Sequence, residues 1–144
     1  MRVLGLDVGD RRIGVAISDE LGLTAQGLMV VERQSTAADV AVLQQVMAAH
    51  AIDRIVVGMP RNMDGSYGPQ ATKTTQFMQA LAQACHLPCL PWDERLTTRQ
   101  AERTLIMGHQ RRQKRQAVRD KIAAQLILQN YLDYQRTSLP RSTC

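Results

Sequence analysis

The chain begins with short apolar runs broken by turns. Val3, Leu4 and Leu6 within Arg2–Asp7 predict a strand, Val8-Gly9-Asp10-Arg11 a turn, and Arg12–Ser18 (RIGVAIS) a second strand that closes a hairpin. Leu23–Glu32, ending in Leu28-Met29-Val30-Val31, predicts a third strand and so an antiparallel meander. The period then changes. Ser35-Thr36 offers an N-cap, and Val40, Leu43 and Met47 recur at helical spacing, which predicts a helix to about His50. Arg54–Gly58 (RIVVG) is a short apolar run of the kind a buried parallel strand makes. Met59–Gly68 reads as a loop, Pro69–Cys85 as a helix and Pro88–Trp92 as another short strand.

Beyond that strand, Thr97 and Gln100 have capping-box spacing and open a predicted helix to about Met107, stopped by Gly108. Gln110–Gln116 reads as a basic connector. Ala117–Tyr134 reads as the last helix, with Val118, Ile122, Leu126 and Ile127 on its apolar face. The expected order is β-β-β-α-β-α-β-α-α. It implies an α/β fold whose mixed five-stranded sheet joins three antiparallel meander strands to two parallel ones, flanked by helices. Residues 1–135 are expected to form a single domain, and 136–144 a frayed polar tail.

Composition narrows the function classes. The 144 residues carry a net charge of +5, and nine of the 18 Lys and Arg fall between Arg95 and Lys121, beside two acids, Glu102 and Asp120. That clustering favours a polyanionic partner. Aromatics make up 3%, which argues for backbone recognition over base stacking. No run approaches the ~18 apolar residues of a membrane span, and no signal peptide is visible, so a cytoplasmic location is expected. Three cysteines without a C-x-x-C spacing argue against a disulfide framework or a zinc site, and His86 beside Cys85 reads as packing.

Candidate chemistry lies at strand ends. Asp7 closes the first strand directly before a turn, where open α/β sheets gather their sites, although an Asp there also caps turns. Asp93-Glu94-Arg95 leaves the fifth strand. Alternation along a strand allows only one of the two acids to face the site, and a surface ion pair with Arg95 or Arg99 is the competing reading. Asp120 is expected in the first turn of the last helix, where the helix dipole alone would favour an acid. Acids converging from separate elements suit Mg²⁺ or Mn²⁺, and a two-metal site offsets the negative charge that opposes attack on a phosphodiester. Arg11, Arg61, Arg95, Arg111, Arg112, Lys114, Arg115 and Arg119 are candidate phosphate contacts, against the alternative of a solvated basic run. Arg61 belongs to the loop 58–66, which otherwise reads as an ordinary connection closing with Asp64-Gly65.

Four segments, LGLDVGDRRIGVAISD, IVVGMPRNMDG, PWDERLTT and RDKIAAQLIL, resemble the YqgF family, whose members are named as Holliday junction resolvases and assigned to maturation of the 5′ end of 16S rRNA. The likeness spans about residues 3 to 133. It implies an RNase H-like fold similar to the RuvC resolvases, and Mg²⁺- or Mn²⁺-dependent cleavage of structured nucleic acid. By position, the family's acids fall on Asp7, the Asp93-Glu94 pair and Asp120. Glu94 has the longer reach and is preferred, with Asp93 as the alternative. The strand ending Val57-Gly58-Met59 carries no acid, so the second carboxylate is expected two strand spacings, ~9–10 Å, from the first. Cleavage of precursor 16S rRNA in ribosome biogenesis is the leading expectation. The alternatives are a DNA junction resolvase, which requires a homodimer, and a non-catalytic RNA-binding assembly factor. Asp7-Val8-Gly9 also resembles a phosphate loop of actin-like ATPases, but those clamp nucleotide between two such domains.

Overall fold

The computed structural model describes residues 2–59, 68–93 and 112–138. The strands are β1 (Val3–Val8), β2 (Arg12–Ser18), β3 (Ala25–Glu32), β4 (Arg54–Met59) and β5 (Cys89–Asp93), and the helices are α1 (Thr36–His50), α2 (Pro69–Cys85) and α3 (Arg112–Ser138). The strands form one sheet in the order β3-β2-β1-β4-β5. β1 pairs antiparallel with β2 and β2 with β3, whereas β1–β4 and β4–β5 are parallel. This is the expected mixed sheet.

Alternation along the strands sorts residues between two faces. Leu4, Leu6 and Val8 of β1, Ile13, Val15 and Ile17 of β2, and Ile55 and Val57 of β4 pack with Val40, Leu43 and Met47 of α1 and Phe77 and Leu81 of α2. The opposite face carries Val3, Ala16, Ala25 and Val56 against Ala124, Ile127, Leu128, Tyr131 and Leu132 of α3. Caps begin and end the elements as the local chemistry requires. The Ser35 side chain accepts from the Ala38 amide at 3.1 Å, and α2 starts with Pro69 after Gly68.

Helix α3 differs from expectation in three ways. It begins at Arg112, so Arg112–Gln116 are helical and not a connector. Those residues have good helix propensity, and a run of charge does not preclude a helix. It continues through Arg136, Thr137 and Ser138, residues expected in the tail. Its buried side is formed by Ala124, Ile127, Leu128 and Tyr131, while Ile122 and Leu126 are only half-buried. The sheet explains the last point. A Cβ on Gly5 would lie 2.8 Å from Leu128 Cβ, so the helix lies almost on the backbone of β1, and small residues are needed where it touches. The helix predicted over Thr97–Met107 and the loop residues 60–67 lie outside the described residues.

The far half of α3 is fixed by aromatic and polar contacts. Arg54 Nη1 donates to the Tyr131 hydroxyl at 2.6 Å, and the Trp92 ring meets Tyr131 edge-on at 5.6 Å. Gln129 ties the helix to the start of β3, accepting from the Ala25 amide at 2.9 Å and donating to the Leu23 carbonyl at 3.0 Å. These contacts hold the helix against β3, β4 and β5 together.

Candidate active site

The parallel pairing of β1 with β4 and the β1–β2 hairpin place Asp7 at the carboxyl end of an inner strand, beside the point where strand order reverses. Asp7 is half-buried and pairs across the ladder with Gly14. Ladder partners in an antiparallel pair face the same way and have Cα atoms about 5 Å apart. A Cβ on Gly14 would lie 2.0 Å from the Asp120 carbonyl oxygen. The backbone of α3 thus rests on β2 at residue 120, on the face that Asp7 shares. Two of the predicted acids, 113 positions apart in the chain, thus flank one glycine, Asp7 as its ladder partner and Asp120 through its backbone.

Asp120 is two turns inside α3, not in its first turn, because the helix starts at Arg112. Stabilisation by the N-terminal dipole therefore does not account for it, since that effect fades beyond the first turn. Its carboxylate is instead held by a residue that sequence reasoning missed. Arg12 Nε donates to Asp120 Oδ2 at 2.8 Å, with both side chains largely shielded from solvent. Arg12 opens β2 and shares the α3-facing register with Gly14 and Ala16. The available signal was a long cation on a strand face otherwise built from the small residues Gly14, Ala16 and Ser18.

The remaining predicted residues divide as follows. Arg11 is exposed on the β1–β2 turn, and Arg119 is exposed beside Asp120. Arg112, Lys114 and Arg115 belong to the opening turns of α3. Asp93 is the last residue of β5 and pairs in register with Met59, while Trp92 pairs with Gly58. Since β4 lies between β1 and β5, the expected two-strand separation between the carboxylates' strands is observed. Glu94, Arg61, Arg95 and Arg111 lie outside the described residues.

Other acids have structural partners. Asp19 Oδ1 accepts from the Leu23 and Thr24 amides at 2.7 and 3.2 Å, and these bonds, with Leu23 foremost, hold its carboxyl below the ordinary range. Asp39, 2% exposed, accepts from Arg33 Nε and from the Gln34 amide, each at 3.1 Å, while Arg33 also lies over the Phe77 ring. Lys73 reaches Asp10 at 3.3 Å on the surface. Neither thiol of the α2–β5 connection is primed to react. Burial, aided by nearby Cys85, pushes the Cys89 thiol up to about 11, and burial also raises that of Cys85.

Among the described residues, no three His, Cys, Asp or Glu side chains form a metal-binding group. Carboxylates such as those of Asp7 and Asp120 offer hard oxygen donors, which fit Mg²⁺ or Mn²⁺ and suit zinc poorly. No helix of the described residues is long and apolar enough to cross a membrane.

Comparison with known proteins identifies the family and the fold. A family model described as "RuvX: Holliday junction resolvase" matches residues 1–134. A protein of Halothermothrix orenii named "Putative pre-16S rRNA nuclease" is 52% identical over 135 residues, covering 94% of this chain and 96% of its own. One of the same name from Symbiobacterium thermophilum is 51% identical over 142 residues, covering 99% of each. Among solved structures, Thermus thermophilus RuvC in complex with Holliday junction substrate superposes with a TM-score of 0.62 at 18% identity, over 96% of this chain and 97% of that one. The Fowlpox virus resolvase with Holliday junction DNA gives 0.55 at 12% identity, over 94% and 99%. At those identities the likeness establishes the fold, which is RNase H-like, and not the substrate.

Proposed function

The chain belongs to the RuvX family, for which YqgF is another name, and on that footing we propose that it is a metal-dependent endonuclease processing the 5′ end of precursor 16S rRNA. The family's membership among nucleases supports phosphodiester hydrolysis. The observation that supports the reading is that Gly14 pairs with Asp7 and lies against the backbone of Asp120.

Asp7, Asp120 and Glu94 are the residues that would hold Mg²⁺ or Mn²⁺, two ions in the favoured reading. Glu94 is preferred to Asp93 for its longer side-chain reach. When bound, the cations supply the positive charge that lets water and phosphodiester meet and that stabilises the departing oxygen. The protein's part is placement. β1 and α3 bring residues 7 and 120 to the same side of the sheet, from which their carboxylates would share the cations, and the hydrogen-bonded Arg12 restricts the rotamers of Asp120. Arg11 and Arg119, both exposed, would meet phosphates, with Arg112, Lys114 and Arg115 of α3 and Arg61, Arg95 and Arg111 as further candidate contacts.

The resemblance to resolvases that hold branched DNA supports a second reading, cleavage of four-way junctions. Cutting both strands symmetrically needs two sites, hence a homodimer. Incubating the protein with precursor 16S rRNA and, separately, with a four-way DNA junction, each with Mn²⁺ or EDTA, separates the readings. Metal-dependent cutting of the RNA supports the first, and cutting of the junction by a dimer the second. Salt-sensitive RNA binding without cleavage under either metal would leave an assembly factor in place of an enzyme. The location expected for such work is the cytoplasm.

A further inference from the structure

The contact between Arg12 and Asp120 has a consequence for how the proposed site is loaded. The carboxylate that is to share a cation already has a cationic partner, bound at 2.8 Å in a partly shielded setting. A charge-assisted bond of that length is among the stronger side-chain interactions. The partner comes from the chain itself, from the strand on which α3 rests, so it is present at high effective concentration. Gly14 keeps the helix backbone close enough for this pairing, and the Arg12 and Gly14 positions share one face of β2.

We propose that Arg12 is a resident counter-ion of Asp120, which a divalent cation must displace or share, so that the free protein is held at low metal affinity. The proposal rests on the reading of Asp7 and Asp120 as metal-binding residues. Its physical basis is competition for one carboxylate between a tethered guanidinium and a free cation, with repulsion between the two. A polyanionic backbone entering the site offers Arg12 an alternative partner, since guanidinium pairs with phosphate as readily as with carboxylate. Metal loading and nucleic-acid binding are then mutually reinforcing, as linkage demands of any two ligands that relieve one shared constraint. Arg12 acts through Asp120 and is a positioning residue.

The test is Mn²⁺ titration by calorimetry, without nucleic acid, of the wild-type protein and of Arg12→Gln, Arg12→Lys and Asp7→Asn. Arg12→Met, which keeps the aliphatic stem beside the helix, replaces Arg12→Gln if the latter does not fold by circular dichroism. The expected result is that Arg12→Gln binds Mn²⁺ about tenfold more tightly than wild type. Arg12→Lys, which keeps the counter-charge, stays close to wild type, and Asp7→Asn binds more weakly. Saturating Mn²⁺ should also raise the Tm of Arg12→Gln more than that of wild type, which loss of a purely structural ion pair would not produce. Equal or weaker binding by Arg12→Gln, with Asp7→Asn still impaired, overturns the counter-ion role and leaves the site reading standing. Absence of Mn²⁺ binding, or identical binding by wild type and Asp7→Asn, removes the site reading and this inference together.

Discussion

Gly14 of β2 and Asp120 of α3 are in backbone contact so close that a methyl group on the glycine would lie 2.0 Å from the Asp120 carbonyl oxygen. No side chain can be accommodated there without lifting the helix. Since Gly14 pairs with Asp7, the same displacement would move one proposed metal-binding carboxylate away from the other.

Gly14→Ala is therefore expected to lower stability by about 3 kcal/mol, at the upper end of ordinary overpacking, because backbone must yield. Urea unfolding followed by circular dichroism checks this. Cleavage should fall further than the folded fraction accounts for. A Gly14→Ala protein with wild-type stability would mean that α3 does not rest on β2 as described.

Asp39→Ala is expected to cost about 2 kcal/mol for a reason unrelated to catalysis. It removes the acceptor of both the Arg33 guanidinium and the Gln34 amide, and leaves that guanidinium beside Phe77 without its carboxylate. The expected reading is a lower urea midpoint with unchanged specific activity per folded molecule.

Alkylation tests the thiols. In a Cys144→Ser background, iodoacetamide should modify Cys89 slowly at pH 7.5, since the thiolate is the nucleophile and this thiol ionises only near 11. The rate should climb steeply as pH rises toward 11. Rapid labelling at neutral pH in the folded protein would contradict the burial of this site.

The basic opening of α3 makes a salt-dependent prediction. If Lys114 and Arg115 meet duplex phosphates, replacing both with Ala should reduce the slope of log affinity against log salt by about 0.9 for each phosphate left without its cation. Fluorescence anisotropy of a labelled RNA duplex across a range of potassium chloride provides the slope. An unchanged slope would mark these side chains as solvated.

Much of the fold was legible because its signals are local. The β1–β2 hairpin, the Ser35 cap and the apolar β4 each depend on neighbours in sequence, and Asp7 was identifiable as an acid closing a buried strand. The start of α3 was not legible, because Arg112–Gln116 offers helix propensity without an apolar stripe, and a basic run reads equally well as loop. The buried face of α3 was misjudged for a different reason. Ala124 faces the sheet because glycines in β1 and β2 bring the helix down to their backbone, a constraint absent from the helix's own sequence. The partnership of Arg12 with Asp120 spans 108 positions and follows from strand register and helix placement together, which periodicity along either segment does not reveal.

Cleavage of precursor 16S rRNA in Mn²⁺ by Asp7→Asn and Asp120→Asn, each first shown to be folded, examines the shared carboxylate site most directly. Both substitutions should reduce the rate by roughly a hundredfold or more, since each removes a charge that would hold the cations. Wild-type rates from both folded variants would contradict the assignment of Asp7 and Asp120 to the reaction.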